Sequence, residues 1–343
     1  MQTKEEILGK TPEELKKFVT ECGMPPFTSK QILKWIYQKR VYDFNQMTDI
    51  SKNNREKLQQ VATIGINPPA ESITSADGTE KYLFRLGDGQ TIEAVYIPDK
   101  ERATLCISSQ VGCRMKCLFC MTGKQGLQRN LTSAEIINQI LSVPNSESLT
   151  NIVYMGMGEP TDNLDEVLKS IEAVIAPWGL SWSPKRITLS TVGTRKGLQR
   201  YLKESKCHLA ISLHSPDTRR SEIIPADKAF PSAEMIDMLR QYDFSHQRRL
   251  SFEYIMFAGV NDSTADAEAL AHLIKGLDCR VNLIRYHAIP GVALNTASDK
   301  NMITFRDTLN KKGITATIRA SRGEDIFAAC GMLASQQKNA RVR

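Results

Sequence analysis

Long apolar runs are absent from this sequence. No run approaches the ~20 residues that a membrane-spanning helix needs. The first ten residues mix Lys and Glu without the apolar core of a signal peptide. Low-complexity segments are missing too, and the apolar content of 41% is enough for a substantial core. These features exclude a disordered or membrane-spanning chain, and we expect a cytoplasmic protein without a membrane partner.

A compact disulfide framework is also missing. The eight cysteines are scattered over 343 residues, which fits a reducing compartment better than an oxidising one. The net charge of +7 permits a polyanionic partner, but such a modest excess of Lys and Arg is typical of an ordinary solvated surface. Charge alone therefore favours nucleic acid only weakly.

Three of the cysteines lie close together in the sequence. Cys113, Cys117 and Cys120 have C-x3-C-x2-C spacing and follow an apolar run at 103–108. A structural zinc site needs four ligands, so a distant His or Cys would have to complete one here. A 4Fe-4S cluster can instead be held by three thiolates with one iron left for an exogenous ligand, and this spacing is the radical-SAM signature. Zinc binding and simple burial of the thiols are the alternatives.

Strand and helix patterns alternate through most of the chain. Strand-like runs occur at 103–108, 151–156, 186–191, 208–214, 250–257 and 280–287, with a final run at 315–320. Helical patterns with buried faces lie between them, and one of these begins at a capping box at Thr132. This alternation predicts parallel βαβ units and an α/β fold. Six main units favour a partial (β/α)6 barrel over a complete eightfold one.

The barrel is predicted to occupy residues 103–330, with other segments on either side. Residues 1–62 contain apparent capping boxes at Thr11 and Thr28 and a cap at Ser51, and they predict a small all-helical domain. This basic unit is a candidate for docking RNA, although a plain packing domain explains it equally well. Residues 63–102 predict a β-hairpin linker, and residues 331–343 a basic C-terminal tail.

Polar and glycine-rich segments follow several predicted strands. In parallel α/β barrels, reactive groups gather at the carboxyl ends of the strands. Gly158 would let a ligand approach the backbone closely, and the Glu159 carboxylate could accept a hydrogen bond from a ligand ammonium. The other strand ends contribute the candidate ligand-binding residues Ser190, Ser212, Leu213, His214 and His287. Tight turns and ordinary rim histidines are the structural alternatives.

Three further residues stand apart from these motifs. Cys106 lies on the first barrel strand, and Cys330 lies near the C-terminus. Each of them, taken singly, is typical of a buried inert thiol. Glu93 interrupts an otherwise apolar strand at 91–98, and a carboxylate that faces water from an edge strand is the alternative to a functional one.

Taken together, these motifs resemble the radical-SAM adenine-C2 RNA methyltransferases, the RlmN family. The matching segments run in order along almost the whole chain: 108–113, 120–126, 155–160, 189–193, 211–216, 281–284, 322–326 and 330–331. The resemblance implies one 4Fe-4S cluster on Cys113, Cys117 and Cys120, and an S-adenosylmethionine (SAM) site at the strand ends. Family members commonly have asparagine where this chain has His287, whose ring can donate or accept in the same place.

The resemblance also implies a mechanism. Carbon 2 of adenine is not nucleophilic, so ordinary methyl displacement cannot reach it. In the family scheme, Cys330 takes a methyl group from one SAM, a second SAM generates the radical that activates this methyl group, and an adduct joins protein to RNA. Glu93 removes the ring proton. Cys106 then releases the RNA by forming a disulfide with Cys330.

The implied substrates are an adenosine of 23S rRNA at the peptidyl-transferase centre and an adenosine next to the tRNA anticodon. An external electron donor of the flavodoxin type is implied as well, and we expect a monomer. Candidate phosphate contacts are the basic residues Arg219, Arg220, Arg248, Arg249, Lys311, Lys312, Lys338, Arg341 and Arg343.

Two alternative functions stay open at this point. Within the superfamily, Cfr-type relatives methylate carbon 8 of the same rRNA adenosine, and Arg285 resembles that branch. From a different class, a non-catalytic zinc and RNA-binding protein would explain the thiols and the charge.

Overall fold

The parallel strands predicted from the sequence form one side of a larger mixed sheet. The computed structural model describes residues 4–245 and 248–334, and ten strands form the main sheet within those ranges. The strands are β1 (Glu5–Glu6), β2 (Ala62–Thr63), β3 (Glu71–Thr74), β4 (Glu80–Arg85), β5 (Thr91–Asp99), β6 (Arg102–Cys106), β7 (Gln110–Val111), β8 (Arg129–Asn130), β9 (Asn151–Tyr154), β10 (Ile187–Thr191), β11 (His208–Ser212), β12 (Leu250–Met256), β13 (Cys279–Arg285) and β14 (Thr315–Ile318).

Helices follow most of the parallel strands, as the alternating pattern predicts. In chain order, the described α-helices, including three in the N-terminal region, are α1 (Pro12–Glu21), α2 (Thr28–Leu33), α3 (Lys52–Val61), α4 (Met121–Gln125), α5 (Ser133–Ser142), α6 (Leu164–Ile175), α7 (Arg195–Glu204), α8 (Arg220–Ile223), α9 (Ser232–Leu239), α10 (Thr264–Leu273) and α11 (Asp299–Lys311). Across the described ranges, none of the helices has the length and apolar character required to cross a membrane.

The order of strands in the main sheet is β14-β13-β12-β11-β10-β9-β6-β5-β4-β3. From β6 to β14 every neighbouring pair is parallel, whereas β3, β4, β5 and β6 pair in antiparallel fashion. The predicted α/β partial barrel is confirmed, and its described parallel part contains the six predicted strands and the final run. The hairpin strands β4 and β5 continue this same sheet.

Strand β6 shows how the sheet separates a core from an interior cavity. Thr104 and Cys106 line the cavity, and Leu105 between them is fully buried in the hydrophobic core. The core continues through Ile136 and Ile140 of α5, a helix that begins at the predicted Thr132 capping box. Burial of these alternating apolar faces holds the helices against the sheet.

The N-terminal region is helical with a core of its own. Thr11 forms the predicted capping box of α1, and Ser51 caps α3 as predicted. The second predicted box is wrong, because α2 begins at Thr28 itself and Phe27 occupies the cap position without a side-chain bond. A short parallel pair, β1 with β2, accompanies the helices and joins the two ends of this region.

The N-terminal region packs against the barrel rather than standing apart from it. Its core includes Ile137 of α5 and Ala173 of α6. The ring of Tyr37 contacts Trp178 edge to face, with centroids 5.6 Å apart. This shared apolar interface fixes the helical region on the outside of the first βαβ units.

Candidate active site

The three cysteines of the C-x3-C-x2-C motif lie on the loop between β7 and α4, and all of them line the interior cavity. Backbone hydrogen bonds shape this loop: the Cys113 N–H donates to the Gly126 carbonyl at 3.2 Å, and the Cys120 N–H to the Cys117 carbonyl at 3.2 Å. Cys113 and Cys117 are buried, and Cys120 is half-buried. The loop thus presents three thiols to one cavity.

Gly112 is required by the geometry of this loop. Its φ of +74° lies in the left-handed region, and an added Cβ would lie 1.8 Å from the Gly126 carbonyl oxygen. That carbonyl also accepts the hydrogen bond from Cys113, so it has little freedom to move away.

Gly112→Ala is expected to destabilise the cysteine loop by well over the ~1–2 kcal/mol that a left-handed alanine alone costs. Urea unfolding and the iron bound per chain after anaerobic reconstitution measure the effect. Gly259→Ala is the matched control, because Gly259 has a φ of +70° with no atom within 4 Å of an added Cβ. Equal losses in the two variants would show that the contact with Gly126 does not matter.

The thiols fit a cluster better than a single ion. Within residues 4–245 and 248–334, no three His, Cys, Asp or Glu side chains are arranged to hold one metal ion. The sulfurs that hold a 4Fe-4S cluster bind different irons, so they need not converge on one point. Burial raises the pKa of Cys113 to about 12 and also raises the pKa of Cys117 and Cys120. A bound cationic group would supply the charge that thiolates need here.

The cavity has a volume of about 370 Å³, which is in the range of small-molecule sites. The structure brings most of the predicted site residues to its walls. Those that line it are Cys106, Cys113, Cys117, Cys120, Gly158, Glu159, Ser190, Ser212, His214 and Cys330. Leu213, His287 and Glu93 are not among the lining residues.

Glu159 joins two strand ends. Its Oε1 accepts hydrogen bonds from the Thr161 N–H at 3.0 Å and the Thr191 hydroxyl at 2.5 Å, and its Oε2 accepts from the Val192 N–H at 3.0 Å. The Thr161 hydroxyl donates as well, at 2.6 Å. Burial nevertheless raises the pKa of Glu159. The carboxylate that was predicted to face a ligand ammonium is therefore already engaged by four protein donors.

His214 is held in one orientation at the end of β11. Its φ is +57°, its Nδ1 accepts a hydrogen bond from the Ile255 N–H at 2.9 Å, and its ring meets Phe119 edge to face at 4.8 Å. Burial lowers its pKa to about 3, so the ring is neutral at ordinary pH. Because Nδ1 accepts, the proton is on Nε2, which makes that nitrogen a hydrogen-bond donor.

The neighbouring predicted residues differ in their placement. The hydroxyls of Ser190 and Ser212 lie 3.5 Å apart at the ends of β10 and β11. Leu213 is buried in the core, and its carbonyl oxygen accepts a hydrogen bond from Arg220. His287 is buried beside Glu324, with Nδ1 3.0 Å from Oε1. Leu213 and His287 thus do not line the cavity.

Cys106 and Cys330 face the same cavity as the cysteine motif, although they are far apart in the sequence. Burial raises the pKa of Cys106 to about 12, with a further contribution from the nearby Cys330. Cys330 is exposed to the open cavity, and the surrounding protein still raises its pKa, against the opposing charge of Arg319. All eight cysteines lie within the described residues and are free, so the predicted disulfide is not formed in this structure.

Comparison with known proteins agrees with this geometry. A Bacteroides thetaiotaomicron protein named "Probable dual-specificity RNA methyltransferase RlmN" is 58% identical over 342 residues, which cover 99% of this chain and 99% of that protein. The Desulfotalea psychrophila "Dual-specificity RNA methyltransferase RlmN" is 41% identical over 338 residues, which cover 95% and 93%. The chain belongs to the RlmN family of radical-SAM RNA methyltransferases.

Other matches agree with this assignment to the RlmN family. The model "Ribosomal RNA large subunit methyltransferase N-terminal domain" matches residues 5–64, and "Radical SAM superfamily" matches residues 107–272. The crystal structure of a radical SAM methyltransferase from Sphaerobacter thermophilus has a TM-score of 0.91 at 38% identity, and the match covers 97% of this chain and 100% of that one. The predicted family, fold and enzyme class are confirmed. Membership of the radical SAM superfamily also implies a 4Fe-4S cluster and SAM.

Sequence reasoning missed a pair of oppositely charged residues that line the cavity of this RlmN-family enzyme. Glu253 and Arg319 both line the cavity, with Arg319 Nη1 3.4 Å from Glu253 Oε2. The Asn282 amide donates to Glu253 Oε1 at 2.7 Å. The available signal was a carboxylate within the apolar run 250–257, the same signal that drew attention to Glu93.

Several residues predicted to contact phosphates are engaged within the protein. Arg220 is completely buried and pairs with Asp227, so its assignment to a phosphate is wrong. Arg219 contacts Asp217 and Asp266, and Arg248 donates to the Leu202 carbonyl. Arg249, Lys311 and Lys312 are exposed, whereas Lys338, Arg341, Arg343 and most of the predicted tail at 331–343 lie outside the described residues.

Proposed function

We propose that this RlmN-family enzyme methylates carbon 2 of an adenosine in 23S rRNA and of an adenosine next to the anticodon in tRNA. The observation that supports this most is the shared cavity, in which Cys106 and Cys330 accompany the three-cysteine motif. A methyl-carrying cysteine and a second cysteine that releases the product must reach one reaction centre. The relatives are named dual-specificity RNA methyltransferases, which supports the action of this enzyme on two kinds of RNA.

We assign the cluster to Cys113, Cys117 and Cys120. The SAM site is assigned to the cavity-lining strand ends, namely Gly158, Glu159, Ser190, Ser212 and His214. The Nε2–H of His214 and the serine hydroxyls are the donors available to a ligand. Leu213 and His287 were also predicted to contact SAM, and we propose that they support the rim from behind. When bound, the cluster and SAM supply the radical that activates a methyl group on Cys330.

The chain's own residues then complete the transfer. Cys330, as a thiolate, accepts the methyl group from the first SAM. Once that group has lost a hydrogen atom and added to carbon 2, a sulfur–methylene bond joins the chain to RNA, and the unpaired electron of the adduct would return to the bound cluster. Glu93 accepts the proton that leaves carbon 2. Cys106 attacks the Cys330 sulfur, a sulfur–sulfur bond forms, and the sulfur–methylene bond breaks with its electron pair left on the carbon. That carbon takes a proton and becomes the product methyl group.

External electrons are needed to reduce the resulting disulfide and to start the radical step. We propose a flavodoxin-type donor for the radical step and a dithiol reductant for the disulfide. The monomeric state stays a prediction. Arg285, which favoured the carbon 8 alternative, pairs with Asp299 at 2.5 Å, while its neighbour Ile284 lines the cavity. Arg285 therefore faces away from the site and gives that alternative no support.

Mass spectrometry of nucleosides from a strain that lacks the gene tests the proposal. We expect 2-methyladenosine to disappear from both 23S rRNA and tRNA and to return when the wild-type gene is supplied. Loss of 8-methyladenosine instead would favour the Cfr-type reaction, and loss from rRNA alone would remove tRNA as a substrate. A colourless, zinc-containing protein from anaerobic purification would contradict any radical mechanism.

A further inference from the structure

A buried ion pair lies next to the cavity in the hairpin. Lys81 on β4 and Glu93 on β5 are diagonal neighbours on one face, because Lys81 is opposite Val95 and Glu93 is opposite Leu83. Lys81 Nζ lies 3.2 Å from Glu93 Oε1, and the two side chains are only 6% and 4% exposed. Glu93 is therefore not a water-facing edge carboxylate. Burying two charges is tolerated only when both are paired and their remaining hydrogen-bonding capacity is used.

Among the described residues, the further side-chain hydrogen bonds of this pair go to the segment that carries Cys330. We call residues 327–334 the strap. Lys81 Nζ donates to the Phe327 carbonyl at 3.4 Å, and the Ala334 N–H donates to Glu93 Oε2 at 2.9 Å. Cys330 lies between these two points, so one ion pair holds both ends of the strap.

The strap also carries backbone strain. Phe327 has a φ of +54°, and its side chain is 43% exposed. A non-glycine residue keeps such a conformation only where surrounding contacts hold it, and Lys81 supplies one to its carbonyl. On the far side, the Met121 N–H donates to the Gly331 carbonyl and the Thr122 hydroxyl to the Leu333 carbonyl, both at 2.8 Å. The strap therefore spans from the hairpin to the helix that follows the cysteine motif.

We propose that Lys81 is a positioning residue that acts through Glu93 and through the strap. Its ammonium group holds the Glu93 carboxylate against the strap and fixes the segment that carries Cys330. The inference rests on the proposed function, in which Glu93 accepts the ring proton and Cys330 carries the methyl group. Oε2 of Glu93 accepts a hydrogen bond from the Ala334 N–H. Release of the strap at Ala334 therefore frees that oxygen to accept the proton that leaves carbon 2 of the adenine. One ion pair thus links the position of Cys330 to the availability of the base.

The link has a consequence for the pH dependence of the reaction. Burial raises the pKa of Glu93, and the charge of Lys81 together with the Ala334 N–H opposes this rise. Without the ammonium group the carboxyl would keep its proton to a higher pH. A base acts only when deprotonated, so activity increases as pH rises through its pKa. Lys81→Met should therefore move the acidic limb of the pH profile to higher pH.

Alkylation of Cys330 in metal-free protein tests the strap without any catalytic step. Iodoacetamide labelling, followed by mass spectrometry of the Cys330 peptide, should be about tenfold faster in Lys81→Met, because hydrogen bonds to a charged group are lost. Lys81→Arg should restore slow labelling. Lys275→Met, at an exposed lysine outside the cavity, should label like the wild type. Wild-type labelling rates in Lys81→Met would overturn the proposal.

A second variant covers the case in which Lys81→Met fails to fold. The unpaired Glu93 would be the cause, so Lys81→Met combined with Glu93→Gln removes both charges together. We expect this variant to fold and to label Cys330 faster than Glu93→Gln alone, because the Phe327 end of the strap is free. Equal labelling in these two variants would overturn the strap contact of Lys81.

The loaded enzyme provides the other readout. In Lys81→Met, the acidic limb of the pH–activity profile should shift to higher pH and kcat should fall. Lys81→Arg should keep a profile and a kcat close to those of the wild type. An unshifted limb would overturn the role of Lys81 in positioning Glu93. If the wild-type enzyme made no 2-methyladenosine, the proposed function would fail, whereas the alkylation result would still decide whether Lys81 holds the strap.

Discussion

Cys106→Ala is expected to accumulate as a covalent complex with RNA, whereas Cys330→Ala is expected to form no complex and no methylated product. The reason is the placement of both thiols on one cavity together with the cysteine motif. Without Cys330, no sulfur carries the methyl group. Without Cys106, the sulfur–methylene bond forms but has no neighbouring thiol to break it. Cys330→Ala therefore stops the reaction before the adduct forms, and Cys106→Ala stops it after the adduct has formed.

A denaturing gel with labelled RNA and mass spectrometry after nuclease digestion measure the adduct. The digested Cys106→Ala protein should carry one nucleotide on the Cys330 peptide. Cys279→Ala is the matched control, because Cys279 is a half-buried free thiol that does not line the cavity. It should turn over without an adduct. Free turnover by Cys106→Ala would contradict the assignment of the releasing thiol.

The elements that the sequence predicted well are those set by local pattern. The runs at 151–156 and 250–257 became β9 and β12, and Thr132 caps α5 as its capping box indicated. Apolar periodicity and capping involve neighbours a few residues apart, so they can be read directly. The cysteine motif was found for the same reason. The pairing of Cys106 with Cys330 came from the family resemblance, since no local pattern connects two thiols so distant in sequence.

What local pattern could not supply was the set of partners of buried polar groups. A carboxylate within an apolar strand is visible at Glu93, but Lys81 and Ala334 become its partners only when the hairpin and the strap meet. The sequence therefore left its burial undecided. Arg220 was misread for the same reason, because a basic residue in a polar loop looks like a surface cation until its partners are known.

Arg220→Met is expected to lower the free energy of unfolding by about 3–5 kcal/mol, because it removes one partner of a buried ion pair. Arg220 is completely buried, and its guanidinium contacts the Asp227 carboxylate. It also donates to the carbonyls of Leu213 at 3.0 Å, Val192 at 2.6 Å and Ser212 at 2.8 Å. These carbonyls belong to the ends of β10 and β11, where the proposed SAM site lies.

Urea unfolding of the metal-free protein and calorimetric SAM binding to the loaded enzyme separate the two consequences. Arg219→Met is the neighbouring control, because Arg219 is 40% exposed and its loss should cost about 1 kcal/mol or less. Equal losses of stability in the two variants would contradict the role assigned to Arg220.

The double variant Arg220→Met with Asp227→Asn separates two roles of Arg220. One is to neutralise the Asp227 carboxylate, and the other is to hold the carbonyls at the two strand ends. If the cost arises mainly from the unpaired Asp227, the double variant should recover most of the stability, since a buried amide costs less than a buried carboxylate. SAM binding should stay weak in that variant, because the carbonyls of Val192 and Ser212 still lack their common donor. Recovery of both properties would mean that the guanidinium only neutralises Asp227. Recovery of stability alone would show that one buried arginine holds the two strand ends in register for the ligand.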